Sequence, residues 1–233
     1  MVFTEEHVRA NLRVKDGKRV FYLAAGDKLT PAANSFLRQE HVKVLPATEA
    51  KIAEYVTLFG AKLTEKPEHM THLRGNLLVA KDHPRIRFRG MIDALEAELL
   101  LCMDEAKDTG LLPHLREVLQ FIRDLIPADV LGEPVKPWNL CGMTAEQLRE
   151  KSHFPQKYFD QPHFMPAETD GRLILMLNKV RTVVRQTELA AYDAFKTKEG
   201  GTDRDDIILA LNRLSSLFWI FMIQEKARRQ THG

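Results

Sequence analysis

Cysteine is scarce. Cys102 and Cys141 are the only two, and neither has a partner at metal-ligand spacing. That excludes a zinc ribbon or a disulfide scaffold and, with no secretory signal, fits a reducing cytosol. An excess of either charge is also lacking. The 34 basic and 32 acidic side chains leave a formal net charge of +2, so electrostatics make no case for nucleic acid or a membrane surface. The apolar runs read as too short to span a bilayer, and the opening MVFTEEHVRANLRVKDGK has no apolar core of a signal peptide. No internal repeat is visible. The expectation is a cytoplasmic protein with neither a nucleic acid nor a membrane as partner.

What is present is ordinary core-forming material. With 44% hydrophobic and 28% charged residues, the chain can build one sizeable core plus a small extra unit. The small unit reads as residues 1–65. Thr4 is placed to cap a helix over 4–14, KRVFYLAA predicts a strand around Val20–Leu23, and Thr30 with Pro31 opens a helix. A second strand follows at His41–Leu45, then a helix over 49–60 ending at Gly60, then the polar connector KLTEKPEHMTHL. From residue 66 to 233 the chain reads as a helical domain. Amphipathic helices are predicted over Arg85–Lys107, over Leu112–Ile126 with a stop at Pro127, and over 144–152 behind Thr144. FPQKYFDQPHFMPAE reads as an aromatic-rich loop, and two long helices follow over about 171–196 and 203–229. The fold class is mainly α, a helical bundle with a small N-terminal α/β appendage.

The chemistry concentrates in the last two helices. Arg181, Arg185 and Glu188 stand at i, i+4 and i+7, one stripe of a helix, beside the apolar stripe Leu173, Leu177, Val180 and Val184. In the final helix Asn212, Arg213, Ser215 and Ser216 interrupt an apolar run. Arg181 and Arg185 can supply the bidentate forks that phosphate oxygens prefer. Lys81, just ahead of a helix start, can add a point charge. Glu188 and Asn212 can hold Mg²⁺ or orient a ribose, because Mg²⁺ takes one or two protein oxygens alongside phosphates. A second reading explains the same stripe: Arg181 pairs with Asp93 and Asn212 bridges helices, with no ligand at all.

Three motifs in order carry a resemblance to a known family. LVAKDHPRIRFRGMIDALEA is similar to the Lys-Asp-x-Pro-Arg segment and Gly-x-x-Asp-Glu-Leu helix start of the cobalamin adenosyltransferases. HFMPAETDGRLILMLNKVRTVVRQTE resembles their Phe-Ile-Leu-Pro loop and Arg-x-x-x-Arg-x-x-Glu helix, and LNRLSS their Leu-Asn-Arg-Leu-Ser motif. DKLTPAANSFL and MTHL extend the resemblance upstream, toward the ethanolamine-utilization branch.

The resemblance implies an up-and-down five-helix bundle with active sites between subunits of a homotrimer. The implied activity is transfer of the 5′-deoxyadenosyl group of ATP to the cobalt of cob(I)alamin, releasing triphosphate. The product would serve ethanolamine ammonia-lyase, in the cytoplasm or inside a bacterial microcompartment, with a separate reductase supplying electrons to cob(II)alamin. ATP, Mg²⁺ and cobalamin are then the implied ligands. Lys81, Arg181, Arg185, Gln186, Glu188 and Asn212 would bind ATP. Thr71 and Gly75 are what MTHLRGN retains of the family's Thr-Gly-Asp-x-Gly-x-Thr phosphate loop. Asp93 would meet Arg181 across a subunit boundary, making Arg185, Arg181 and Asp93 the implied catalytic set. His163 and Phe164 would face the corrinoid, with Phe159 or Tyr158 as further bulk on its lower face.

Departures from the family pattern are specific. Gln186 stands where the second arginine of an Arg-Arg pair is expected, and Asp-Glu-Leu reads Asp93-Ala94-Leu95. The connector lacks the Cys-Cys-x-x-Cys cluster of some branch members, and His69 and His72, three apart and able to share a helix face, alone predict no transition-metal site. Two other classes fit these losses: a non-catalytic carrier of ATP or corrinoid, and a helical interaction module of a microcompartment.

Overall fold

The computed structural model describes residues 1–15, 18–49 and 55–232. Among these the chain is mainly helical, with its strands confined to residues 2–80. Contacts divide it into two units, residues 1–68 with 76–78, and residues 69–75 with 79–233.

The first unit begins with β1 (Val2–Phe3) and α1 (Glu5–Ala10), where the Thr4 hydroxyl accepts the His7 N–H at 3.3 Å. β2 (Arg13–Lys15), β3 (Lys18–Leu23), β4 (Lys28–Leu29), α2 (Pro31–Gln39) and β5 (Lys43–Pro46) follow. β3 pairs antiparallel with β2 and parallel with β5, and α2 is the crossover that a parallel pair requires. Thr30 caps α2 with Pro31 at its first turn, so the predicted strand–helix–strand unit is present. Val8, Phe21, Ala33, Phe36, Leu37 and Val42 form its core.

The helix predicted over 49–60 is corrected. Residues 50–54 lie outside the described residues, and β6 (Tyr55–Thr57) is a strand, paired antiparallel with β7 (Lys62–Leu63) and parallel with Leu77 and Leu78. The winning contact is non-local and supplies the backbone partners that a short amphipathic segment cannot supply for itself.

The second unit opens with β8 (Met70–Arg74), a turn in which Gly75 takes φ +52°, and β9 (Leu77–Ala80), whose first residues belong to the first unit. Helix α3 (Pro84–Glu105) starts at His83, whose Nδ1 accepts the Arg85 N–H. α4 (Leu112–Leu131) passes through Pro127 instead of stopping there, and ends at Gly132 in a left-handed C-cap of φ +70°. Proline loses one backbone bond and strains the preceding turn. That loss falls one turn before the natural end, and the Asp129 carboxylate is fixed there by Arg85 and Arg89.

α5 (Ala145–His153) has a full capping box between Thr144 and Gln147. α6 (Pro155–Phe159) is a short helix within the segment read as loop. α7 (Arg172–Phe195) and α8 (Asp205–His232) are the two long predicted helices. Phe88, Ile92, Leu95 and Leu99 of α3 share one core with Leu173, Leu177, Val180 and Val184 of α7 and with Ile207, Leu211, Leu214 and Phe218 of α8. Ion pairs Arg172–Glu105 at 3.0 Å and Lys179–Glu98 at 3.5 Å mark the antiparallel register that this core sets between α3 and α7.

One expectation about membranes is corrected here. By length and composition, Asp205–Gln230 of α8 can cross a bilayer. Most of that stretch is buried within the unit, which explains why its apolar residues run all round the helix.

Candidate active site

α7 and α8 bring most of the predicted residues to one groove. Their antiparallel pairing sets Glu188 beside Asn212, whose Nδ2 donates to Glu188 Oε1 at 2.8 Å. Two turns earlier on α7, the Arg181 guanidinium lies 5.5 Å from the centre of the Trp219 ring and donates from Nη2 to Asn178 Oδ1 at 3.0 Å. Arg185 is exposed between these two levels, and Gln186 is exposed beside it. Partial burial, and then the charge of Arg185, lower the Arg181 pKa from the ordinary arginine range. Two guanidiniums on one stripe, one of them partly desolvated, favour an anion between them.

The second part of the site is aromatic. Ser152, His153, His163, Phe164, Met165, Pro166, Asn178, Arg181, Ser215, Ser216 and Trp219 line a cavity of about 540 Å³. Trp219 is its floor. His163 stacks on it at 5.8 Å and 17°, and Phe164 at 5.3 Å and 20°. Trp219 Nε1 donates to His163 Nδ1 at 3.2 Å, and His163 Nε2 lies 3.2 Å from the His153 carbonyl, so one tautomer, with its proton on Nε2, satisfies both bonds. The Lys226 ammonium stands 5.3 Å from the Phe164 ring and is paired with Asp170.

Three expectations change against this geometry. Asp93 makes no ion pair with Arg181 among the described residues, and it is exposed. The contacts Thr187 Oγ1 to Met91 O and Lys179 to Glu98 put residue 93 level with residue 185, about one turn from Arg181. The reading of an Arg181–Asp93 pair within one chain is therefore wrong. Tyr158 and Phe159 do not line the cavity. The Tyr158 hydroxyl is held by Glu150 and Lys157, and Phe159 packs against the core. His72 sits in a strand, its Nδ1 2.9 Å from the Gly75 carbonyl, so it shares no helix face with His69.

Thr71, Gly75 and Lys81 form a separate group on the β8–β9 hairpin and its exit. Lys81 N donates to His69 O at 3.0 Å and closes the base of that hairpin, while the Lys81 side chain is exposed. No hydrogen bond or ion pair joins this group to Arg185, Glu188 or Asn212 among the described residues.

The residue missed by sequence reasoning is Trp219. It lies seven residues after Asn212 on the same face of α8, and that spacing was its available signal. The surroundings of both cysteines disfavour the reactive thiolate. Burial first, then Glu105 beside Cys102 and Glu117 beside Cys141, push each thiol up to about 12. No group of three His, Cys, Asp or Glu side chains is arranged to hold a metal ion among the described residues.

The second unit thus joins a paired-arginine stripe on α7 to an adjoining aromatic cavity. The family model for cobalamin adenosyltransferase matches residues 62–225, and the chain belongs to that family. It is similar to the corrinoid adenosyltransferase EutT of Escherichia coli, 30% identical over 94% of this chain and 90% of the relative. The protein of the same name from Salmonella typhimurium is 29% identical over 97% of this chain and 92% of the relative.

Among solved structures, the fold is similar to a PduO-type ATP:corrinoid adenosyltransferase from Lactobacillus reuteri, a phenylalanine-to-alanine variant complexed with cobalamin and ATP. The TM-score is 0.52 at 22% identity, covering 70% of this chain and 91% of that one. The phenylalanine-to-histidine variant of the same enzyme aligns with a TM-score of 0.51, covering 70% and 89%.

Proposed function

We propose that the chain is an ATP:cob(I)alamin adenosyltransferase, its catalytic domain spanning residues 66–233 and built as the family's five-helix bundle from α3, α4, α5, α7 and α8. The observation that carries this reading is the groove of α7 and α8. There Arg181, Arg185, Glu188 and Asn212 adjoin a cavity floored by Trp219 and walled by His163 and Phe164. Arg185, Lys81, Gln186, Thr71 and Gly75 bind the triphosphate, and Glu188 with Asn212 fixes the nucleoside end. In the alternative placement, with the phosphates rather than the ribose beside them, the Glu188 carboxylate and the Asn212 carboxamide oxygen would hold Mg²⁺, a hard cation that takes oxygen ligands and neutralises phosphate charge.

In the reaction, the cobalt electron pair forms the bond to the 5′-carbon of ATP, and the C5′–O bond breaks with triphosphate leaving. The corrinoid substrate is the nucleophile, so the protein needs no nucleophile of its own. Its work is to align the two reacting atoms and to stabilise the leaving polyanion. The stacked His163 and Phe164 exclude water and any lower axial ligand from the cobalt, which eases reduction to Co(I).

The separation of Lys81 from Arg185 within one chain supports the homotrimer that the resemblance implies, in which two copies compose the complete site and Asp93 meets Arg181 across their boundary. The protein acts in the cytoplasm, or within a microcompartment, beside a reductase and supplies ethanolamine ammonia-lyase. The discriminating experiment is Arg185→Ala in an anaerobic adenosylation assay, with circular dichroism as control. Activity should fall by at least about a hundredfold with helicity unchanged, and wild-type turnover would move the phosphate clamp elsewhere. A mere carrier would bind ATP but yield no adenosylcobalamin.

A further inference from the structure

The β8–β9 hairpin carries Thr71 and Gly75 but not the glycine-rich sequence by which a phosphate loop ordinarily sets its own backbone. Something else must fix it. Arg89, on the second turn of α3, reaches back to it: Nη2 donates to the Leu73 carbonyl at 2.8 Å and Nη1 to the His72 carbonyl at 3.4 Å. The third nitrogen, Nε, donates to Asp129 Oδ2 at 2.7 Å. Each nitrogen of the guanidinium is thus engaged, and its side chain is only 16% exposed.

Asp129 is itself held by a second arginine. It is completely buried, and its other carboxylate oxygen and its carbonyl both accept from Arg85, at 2.8 Å from Nε and 2.7 Å from Nη2. A fork held by a buried carboxylate on one side clamps two consecutive carbonyls on the other, and a planar guanidinium does this with little residual freedom.

We propose that Arg89, locked by Asp129, is a positioning residue that presets the 70–76 hairpin for the triphosphate of ATP. On the hairpin it touches backbone only, so its effect on the substrate passes through Thr71 and Gly75. The proposal rests on the reading of that hairpin as the phosphate side of the site. Arg89→Met leaves Asp129 paired with Arg85, so the buried carboxylate keeps a partner and the variant should fold.

The test is steady-state adenosylation by the full-length oligomer, with amide hydrogen exchange of residues 70–76. For Arg89→Met we expect the KM for ATP to rise about ten- to a hundredfold, as loss of two charge-assisted bonds to the hairpin implies. The KM for corrinoid should stay within about twofold, since no bond from Arg89 reaches that cavity. Hairpin amides should exchange faster in the ATP-free variant. Arg89→Lys, with one ammonium in place of the fork, should fall between the two. Asp129→Asn should show the same selective rise at a lower Tm.

A wild-type KM for ATP in Arg89→Met overturns the proposal. So does a rise in both KM values that merely tracks a fall in Tm, which is what a purely structural role would give. Lys81→Ala, measured in parallel, separates the two layers. If Lys81→Ala also leaves ATP binding untouched, the phosphate-side reading has failed. If Lys81→Ala weakens ATP binding and Arg89→Met does not, only the positioning role has.

Discussion

Replacing Trp219 by alanine removes the floor of the cavity, and the structure says what that should cost. Two stacked partners, His163 and Phe164, lose their contact ring. Such pairs are worth about 0.5–1.5 kcal/mol each. The cation–π contact with Arg181 adds about 0.5–1 kcal/mol. The indole N–H bond to His163 adds about 0.5–1.5 kcal/mol. The sum is roughly 2–5.5 kcal/mol on the docking of the 163–166 loop. His163 retains its bond to the His153 carbonyl and Phe164 its contact with Lys226, so part of that docking survives. The expected result is a rise of about ten- to a hundredfold in the KM for corrinoid, with the KM for ATP little changed. Trp219→Phe keeps a stacking ring and loses only the N–H bond, a cost of about 1 kcal/mol or roughly fivefold. The assay is anaerobic adenosylation with corrinoid and ATP varied separately, and circular dichroism establishes that α8 is intact. A folded Trp219→Ala protein with wild-type corrinoid KM would refute the role given to this cavity.

Other perturbations probe different parts of the account. Arg181→Ala should weaken subunit association as well as turnover. Sedimentation showing a fully assembled, fully active variant would count against the proposed bridge to Asp93. The Asp170 carboxyl is held below the usual carboxylate value of 3.8 chiefly by Lys226, with the Ala167 N–H at 2.8 Å as a second donor. A depressed folded pKa contributes stability above the unfolded value and loses it as pH falls through the folded one. Asp170→Asn should therefore lower Tm at neutral pH, and the gap to wild type should close below pH 3.8; a gap independent of pH would contradict this. Both thiols are pushed up to about 12, so iodoacetamide at neutral pH should label the native protein slowly and the unfolded protein at Cys102 and Cys141 alike. Rapid labelling of the native fold, read by mass spectrometry, would show the thiols to be less protected than the structure indicates.

The long helices were legible because their signal is local: apolar residues recur at helical spacing in α3, α7 and α8, and Thr4, Thr30 and Thr144 cap where capping chemistry says they should. What escaped was decided by distant partners. Tyr55–Thr57 is aromatic and β-branched, a strand signal only three residues long that the helical spacing around it outweighs, and pairing with Leu77 and Leu78 decides the outcome. Pro127 marks a helix stop in the sequence, yet its turn is held by Arg85 and Arg89, some forty residues away. The stripe Arg181–Arg185–Glu188 was readable from spacing alone, but its register against α3 was not, so Asp93 was matched to Arg181 within the chain. Trp219 was hidden in a run that is apolar on every side, where face assignment has no contrast to work with.

Transfer of an adenosyl group from ATP is the activity proposed for this groove. The most direct measurement is a single anaerobic incubation of the purified protein with ATP and chemically reduced cobalamin, quantifying adenosylcobalamin and inorganic triphosphate together. Both should accumulate catalytically and in equal amounts. Tight ATP binding with neither product, or release of phosphate and diphosphate without a carbon–cobalt bond, would contradict it.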